Sequence, residues 1–156
     1  MDFEVFLSLL RALEQHGVDY MLVGATALSM HGVVRATEAI DLSVHPDSQN
    51  VERLKRALRS VWDDPEIDQI STQDLTGGYP KIRYVPPGGS PVVDLLSSLG
   101  TELRFEDLES ETLVLEGVRV RVATPQTLYR MKKDTVRPID RADAQALREK
   151  FKLEEG

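Results

Sequence analysis

Residues 20–44, YMLVGATALSMHGVVRATEAIDLSV, constrain the fold more than any other stretch of the chain. Tyr20, Met21, Leu22 and Val23 form an apolar run stopped by Gly24, which predicts a buried strand entering a tight turn. Residues 25–30 suit a short helix, and His31-Gly32 ends it. From Arg35 the chain alternates, with Ile40, Leu42 and Val44 on one side and Arg35, Thr37, Ala39 and Asp41 on the other. A period of two marks a strand with one core face. The stretch therefore reads as strand, glycine turn, helix and second strand, with a carboxylate beside the glycine turn.

The flanking sequence supplies material to hold that unit. Phe3, Phe6, Leu7, Leu10 and Leu13 recur at helical spacing behind Asp2, a suitable N-cap, and Gly17 fits the helix end. Pro46, Asp47 and Ser48 stop the second strand and cap a helix whose inner face is Val51, Leu54, Leu58 and Val61. Arg53, Lys55, Arg56 and Arg59 are expected on its outer, solvated face. Residues 63–79 are polar and weakly patterned, with a turn at Gly77-Gly78. Residues 81–85 and 92–96, joined by the turn sequence PPGGSP, predict a hairpin with Asp94 in its second arm. A helical turn is expected over 103–108, and a second hairpin over 112–115 and 118–122, turning at Glu116-Gly117. Thr124-Pro125 starts a helix with Leu128 and Met131 inward, running to about Thr135. A last helix spans 138–151, with Ile139, Ala142, Ala146 and Leu147 expected inward. This order predicts an α+β fold with a mixed, largely antiparallel sheet and flanking helices. At 156 residues one domain over 1–156 is expected.

Composition removes several classes of function. A formal charge of −7 argues against a module that grips nucleic acid through a broad basic surface, though not against a small basic pocket. Without cysteine there is no disulfide framework, thiolate chemistry or zinc–sulfur site. His16, His31 and His45 are too scattered to suggest a zinc centre. No apolar run approaches the ~20 residues of a membrane span, and Asp2 and Glu4 give the wrong charge for a secretory signal. A soluble, cytoplasmic protein is expected.

Three constellations can carry chemistry. A carboxylate ending a strand beside a glycine turn suits a divalent metal, and two carboxylates at i and i+2 on one strand face would hold a metal pair. Here i+2 is Asp41 but i is Ala39, while Glu38 points to the opposite face. Asp94 sits among Val92, Val93, Leu95 and Leu96, so it is either paired or metal-bound inside the protein, or solvated on a half-exposed strand. Lys132 and Lys133 precede Arg137, Asp140 and Asp143. That group is either a phosphate-binding cluster or a surface salt-bridge array between the last two helices.

Taken together, Val23-Gly24-Ala25-Thr26-Ala27-Leu28, His31-Gly32, Arg35-Ala36-Thr37, Ile40-Asp41-Leu42, Ala123-Thr124-Pro125, Met131-Lys132, Arg137 and Asp140-x-x-Asp143 resemble the polymerase-β-like nucleotidyltransferase superfamily. The nearest likeness is to the small abortive-infection-type transferases associated with toxin–antitoxin systems. The resemblance implies transfer of a nucleoside monophosphate from an NTP to an RNA end or a protein hydroxyl, with Mg2+ as cofactor. It implies that Gly24 and Thr26 lie in a phosphate turn, that Asp41 and Asp94 are metal ligands, and that Lys132 and Asp143 belong to a catalytic cluster on the nucleotide side. Arg35, Thr37, Lys132 and Arg137 are then expected to contact substrate, and tRNA or a cognate toxin or antitoxin protein is an expected partner. The sequence departs from the pattern mildly at Ala25 and seriously at Ala39, where the first metal aspartate belongs. Either Ala39 replaces an aspartate of an active enzyme, or the chain is a degenerate transferase that binds a nucleotide or partner without catalysis.

Overall fold

The computed structural model describes residues 2–33, 39–76, 81–99, 103–132 and 138–153. Arg35, Thr37, Arg137, the Gly77-Gly78 turn and the expected end of the penultimate helix near Thr135 lie outside the described residues. The elements in chain order are α1 (Phe3–Gln15), β1 (Tyr20–Val23), α2 (Gly24–Met30), β2 (Ala39–Val44) and α3 (Ser48–Val61). A 3-10 turn (Pro65–Gln69), α4 (Thr72–Thr76), β3 (Lys81–Tyr84), β4 (Val92–Leu96), β5 (Ser98–Leu99) and β6 (Leu103–Arg104) follow. The chain continues through a second 3-10 turn (Phe105–Asp107), β7 (Ser110–Leu115), β8 (Val118–Ala123), α5 (Pro125–Lys132) and α6 (Pro138–Phe151).

Six strands make one sheet in the order β3-β4-β2-β1-β8-β7, and β5 and β6 pair apart from it. β1/β2, β3/β4 and β7/β8 are antiparallel, whereas β1/β8 and β2/β4 are parallel. The sheet is thus mixed and mainly antiparallel, as expected. The parallel β2/β4 contact brings β4, from a distant hairpin, alongside β2, and the parallel β1/β8 contact attaches the β7/β8 hairpin. All four residues of β1 are buried, so this strand is covered on both faces. Ile40, Leu42 and Val44 are fully buried on one face of β2, as their alternation requires.

Local chemistry explains the boundaries. The Asp2 carboxylate accepts from the Glu4 and Val5 amides and caps α1, whose Leu9, Leu10 and Leu13 are completely buried. Phe3, expected inward, is 48% exposed, because it begins the helix before the chain reaches the core. Asp47 caps α3 by accepting from the Asn50 amide. The buried Asn50 side chain then locks three segments together. It accepts from the Asp19 amide (2.7 Å) and donates to the Asp19 and His45 carbonyls. Lys55, expected on the solvated face of α3, is instead buried and donates to the Asp68 carbonyl at 3.0 Å. Its alkyl stem packs while its ammonium closes a backbone acceptor. Over its described part, residues 63–76, the weakly patterned segment is anchored by completely buried Ile67 and Leu75 rather than by a periodic face. At the other end of the sheet Glu116 (φ 49°) and Gly117 (φ 77°) form the two-residue turn of the β7/β8 hairpin.

Between β1 and α2, Gly24 has φ +69°, and a Cβ built there would lie 2.1 Å from Asp41 Oδ2. Glycine is required twice, once by the left-handed backbone and once by the carboxylate pressed against it. Gly24→Ala should lower the unfolding free energy by about 2 kcal/mol or more in urea titrations. Combining it with Asp41→Ala should recover the overlap component but not the backbone component. Equal losses in the single and double variants would contradict this packing.

Candidate active site

Strand register assembles the site. Val23 pairs with Asp41, Asp41 with Asp94, and Asp94 with Arg83. Directly paired residues project to the same face, so Arg83, Asp94 and Asp41 form a row across β3, β4 and β2. The row ends at the Gly24 turn. Ala39 lies two residues before Asp41 in β2, opposite Val92, and brings no donor side chain to this face.

Asp94 is 2% exposed, which decides between its two sequence readings: it is an interior carboxylate. Arg83 donates from Nε to Oδ1 at 2.9 Å and from its terminal nitrogen to Oδ2 at 3.1 Å. Lys81 Nζ lies 3.6 Å from Oδ2. Burial pushes the Asp94 carboxyl up, but the Arg83 hydrogen bonds and the Lys81 charge outweigh it and hold the group below its ordinary range. Among the described residues no such fork reaches Asp41. Burial, then the Asp94 charge, pushes its carboxyl up to about 6 against the pull of Lys81 and Lys132. A hydrogen bond between the two carboxyls, which requires a proton on one of them, acts in the same upward direction.

A second charged cluster stands within electrostatic reach of Asp41. Lys132, in the last turn of α5, donates to Asp140 Oδ1 at 3.2 Å and to Asp143 Oδ2 at 3.0 Å. Side-chain exposures of 11%, 11% and 7% make this an interior cluster rather than the surface array that spacing allowed. It also corrects the expected face of α6. Asp140, Asp143, Ala144 and Leu147 turn inward, while Ile139 is 43% exposed and Ala142 is exposed. A buried ammonium without carboxylates would cost more than exposing one isoleucine, so the ion pairs set the helix rotation.

The other site residues have distinct surroundings. Thr26 is buried in α2, and its hydroxyl finds no hydrogen-bond partner among the described residues. The Ser43 hydroxyl, two residues beyond Asp41, is likewise orphaned. His31 Nε2 donates to the Ala123 carbonyl at 2.8 Å and ties the end of α2 to β8. A groove of about 610 Å3 beside α6 is lined by Tyr129, Arg141, Arg148 and Lys152 and contains neither Asp41 nor Asp94. Sequence reasoning missed Arg83 and Lys81. Their alternation on the hairpin arm facing Asp94 was the available signal, but the register that pairs them is not fixed by the PPGGSP turn sequence alone.

The donor set fits one divalent cation. Two hard carboxylates meet in register, and a magnesium ion takes one or two such ligands together with phosphate oxygens and water. Half-buried Asp41, whose carboxyl is pushed up by lost hydration and then by the Asp94 charge, gains most from added positive charge. A second ion lacks its carboxylate at Ala39, and no group of three or more metal-binding side chains occurs among the described residues. Among those residues no helix is long and apolar enough to cross a membrane.

Known proteins share sequence and fold with this chain. Residues 8–150 match the family model described as "Nucleotidyl transferase AbiEii toxin, Type IV TA system". The fold is similar to that of ANT(2")-Ia, solved in complex with adenylyl-2"-tobramycin, with a TM-score of 0.58 at 13% identity over 96% of this chain and 90% of that one. An antigenic nucleotidyltransferase-like protein from Paracoccidioides brasiliensis matches with a TM-score of 0.50 at 17% identity, covering 92% of this chain and 72% of that one. A DNA polymerase catalytic subunit from Rhesus cytomegalovirus (strain 68-1) is 33% identical over 122 residues. That match takes in 76% of this chain but spans only 11% of the viral protein.

The pH dependence of stability follows from Asp41. Its folded carboxyl titrates at about 6 against an ordinary value of 3.8, so ionisation opposes folding. The cost is absent below the lower value, grows between the two, and is complete above the upper. Asp41→Asn should therefore stabilise the metal-free protein by about 1–3 kcal/mol at pH 8 and by little at pH 4. Urea titrations at the two pH values check this, and a larger gain at pH 4 would contradict it.

Proposed function

The chain belongs to the AbiEii nucleotidyl transferase toxin family of type IV toxin–antitoxin systems, and on that premise we propose that it moves a nucleoside monophosphate from an NTP to an RNA end or a protein hydroxyl. The observation that carries this reading is the in-register pair of half-buried Asp41, pressed against Gly24, and buried Asp94. Residues 1–156 are taken as one transferase domain acting in the cytoplasm, where NTPs and tRNA are available. A cognate antitoxin is its expected protein partner.

In this reading Gly24 and the first turn of α2 receive the triphosphate, and the orphaned Thr26 hydroxyl finds its acceptor there. Asp41 and Asp94 hold Mg2+, whose charge would favour attack at the α-phosphate and departure of pyrophosphate. Lys132, fixed by Asp140 and Asp143, aims a point charge at the phosphates and lowers the cost of ionising Asp41. Asp143 acts by orienting that lysine. Arg35, Thr37 and Arg137 remain substrate contacts on the strength of the family resemblance. Ala39 deprives the site of one metal carboxylate and so limits turnover.

Ala39→Asp should raise Mg2+-dependent labelling of tRNA or a partner protein from an α-labelled NTP by about 10–100-fold or more over the native chain. No labelling with all four NTPs across a broad acceptor set would contradict the proposal. Ala39 itself favours a second reading, a non-catalytic nucleotide- or partner-binding module. That reading gains if the Ala39→Asp protein stays inactive while the native chain co-purifies with a specific partner.

A further inference from the structure

Arg83 and a divalent cation have claims on the same atoms. Both Asp94 oxygens accept from the Arg83 guanidinium, at 2.9 and 3.1 Å. A metal shared by Asp41 and Asp94 needs at least one of those oxygens. Asp94 is in no position to yield, since its side chain is 3% exposed on an interior strand. Arg83 is in such a position. It sits on the outermost strand of the sheet, with its side chain 61% exposed. The exposed guanidinium rehydrates readily, but a buried Asp94 left without a cation is costly, so Arg83 leaves only as another cation takes its place.

Charge gives the displaced group a destination. Among the described residues, Lys81 and Arg83 face Asp94, and Lys132 faces Asp140 and Asp143. A triphosphate entering the site needs cations that are not committed elsewhere. Lys132 is held between two buried carboxylates, whereas Arg83 sits at the solvent end of the row. Its guanidinium already feels the Asp41 charge, so it lies within the field of the metal position. A planar fork suited to a carboxylate is equally suited to a phosphate.

We infer that Arg83 is an exchangeable counterion of the site: it competes with a divalent cation for Asp94 and, once displaced, binds the phosphates of the incoming nucleotide. This deepens the transferase reading and rests on it for the identity of the ligand. Lys81, 3.6 Å from Asp94 Oδ2 and on the same strand face as Arg83, stays as a second cation beside the pair.

The test uses the full chain and two probes: Mn2+ alone, followed by electron paramagnetic resonance, and inorganic tripolyphosphate in the presence of a chelator, followed by calorimetry. Arg83→Ala should bind Mn2+ about tenfold more tightly than the native chain and tripolyphosphate about tenfold more weakly. Arg83→Lys, which keeps the charge but not the fork, should fall between on both probes. Adding Asp94→Asn to Arg83→Ala should abolish the gain in Mn2+ affinity, and circular dichroism shows that each variant is folded. Unchanged or weaker Mn2+ binding in folded Arg83→Ala would overturn the exchange, even if Ala39→Asp labels an acceptor. Unchanged tripolyphosphate binding would overturn the phosphate role. Tighter Mn2+ binding alongside an inactive Ala39→Asp protein would instead uphold competition at Asp94 and count against the transfer reaction.

Discussion

The contact between the Asp41 carboxylate and the backbone of Gly24 is the constraint on which the rest of the site depends. Only a residue without Cβ, in a left-handed conformation, leaves room for that carboxylate. The contact fixes where β1 turns into α2 and how deeply Asp41 sits. Once Asp41 is there, the parallel β2/β4 pairing puts Asp94 beside it, and a half-buried and a buried carboxylate become neighbours. Three cations among the described residues answer that arrangement: Arg83 and Lys81 directly on Asp94, Lys132 through its field on Asp41.

The two carboxylates respond in opposite ways because their partners differ. Asp94 has a bidentate guanidinium and stays ionised despite burial. Asp41 loses hydration and has a negative neighbour, which together outweigh the pull of Lys81 and Lys132, so its ionisation is opposed. Such a pair stores unfavourable electrostatic energy that a divalent cation would relieve. In the proposed reading, the missing donor at Ala39 leaves the pair one carboxylate short of a two-metal site.

Much of this was legible in the sequence where a local rule applied. The apolar run into Gly24, the alternation of Ile40, Leu42 and Val44, the Asp2 and Asp47 caps and the Glu116-Gly117 turn each determine their element by short-range sterics or hydrogen bonding. Asp94 was identifiable as an anomaly, a charge inside an apolar strand. The rotation of α6 was not legible. Apolar spacing favoured Ile139 and Ala142, whereas the buried Lys132 ammonium, supplied by another helix, demanded Asp140 and Asp143. Arg83 and Lys81 escaped for a related reason, since their role depends on strand register across a six-residue turn. Lys55 was misassigned because its acceptor, the Asp68 carbonyl, belongs to a segment without periodicity.

The central claim is that Asp41 and Asp94 together form a site for a single divalent cation. Anomalous diffraction from crystals grown with Mn2+ and a non-hydrolysable NTP tests it most directly. The account predicts one manganese peak bridged by oxygens of Asp41 and Asp94, with the triphosphate reaching it from the Gly24 turn. Manganese bound at Asp140 and Asp143 instead, or nucleotide bound with no metal between Asp41 and Asp94, would contradict it.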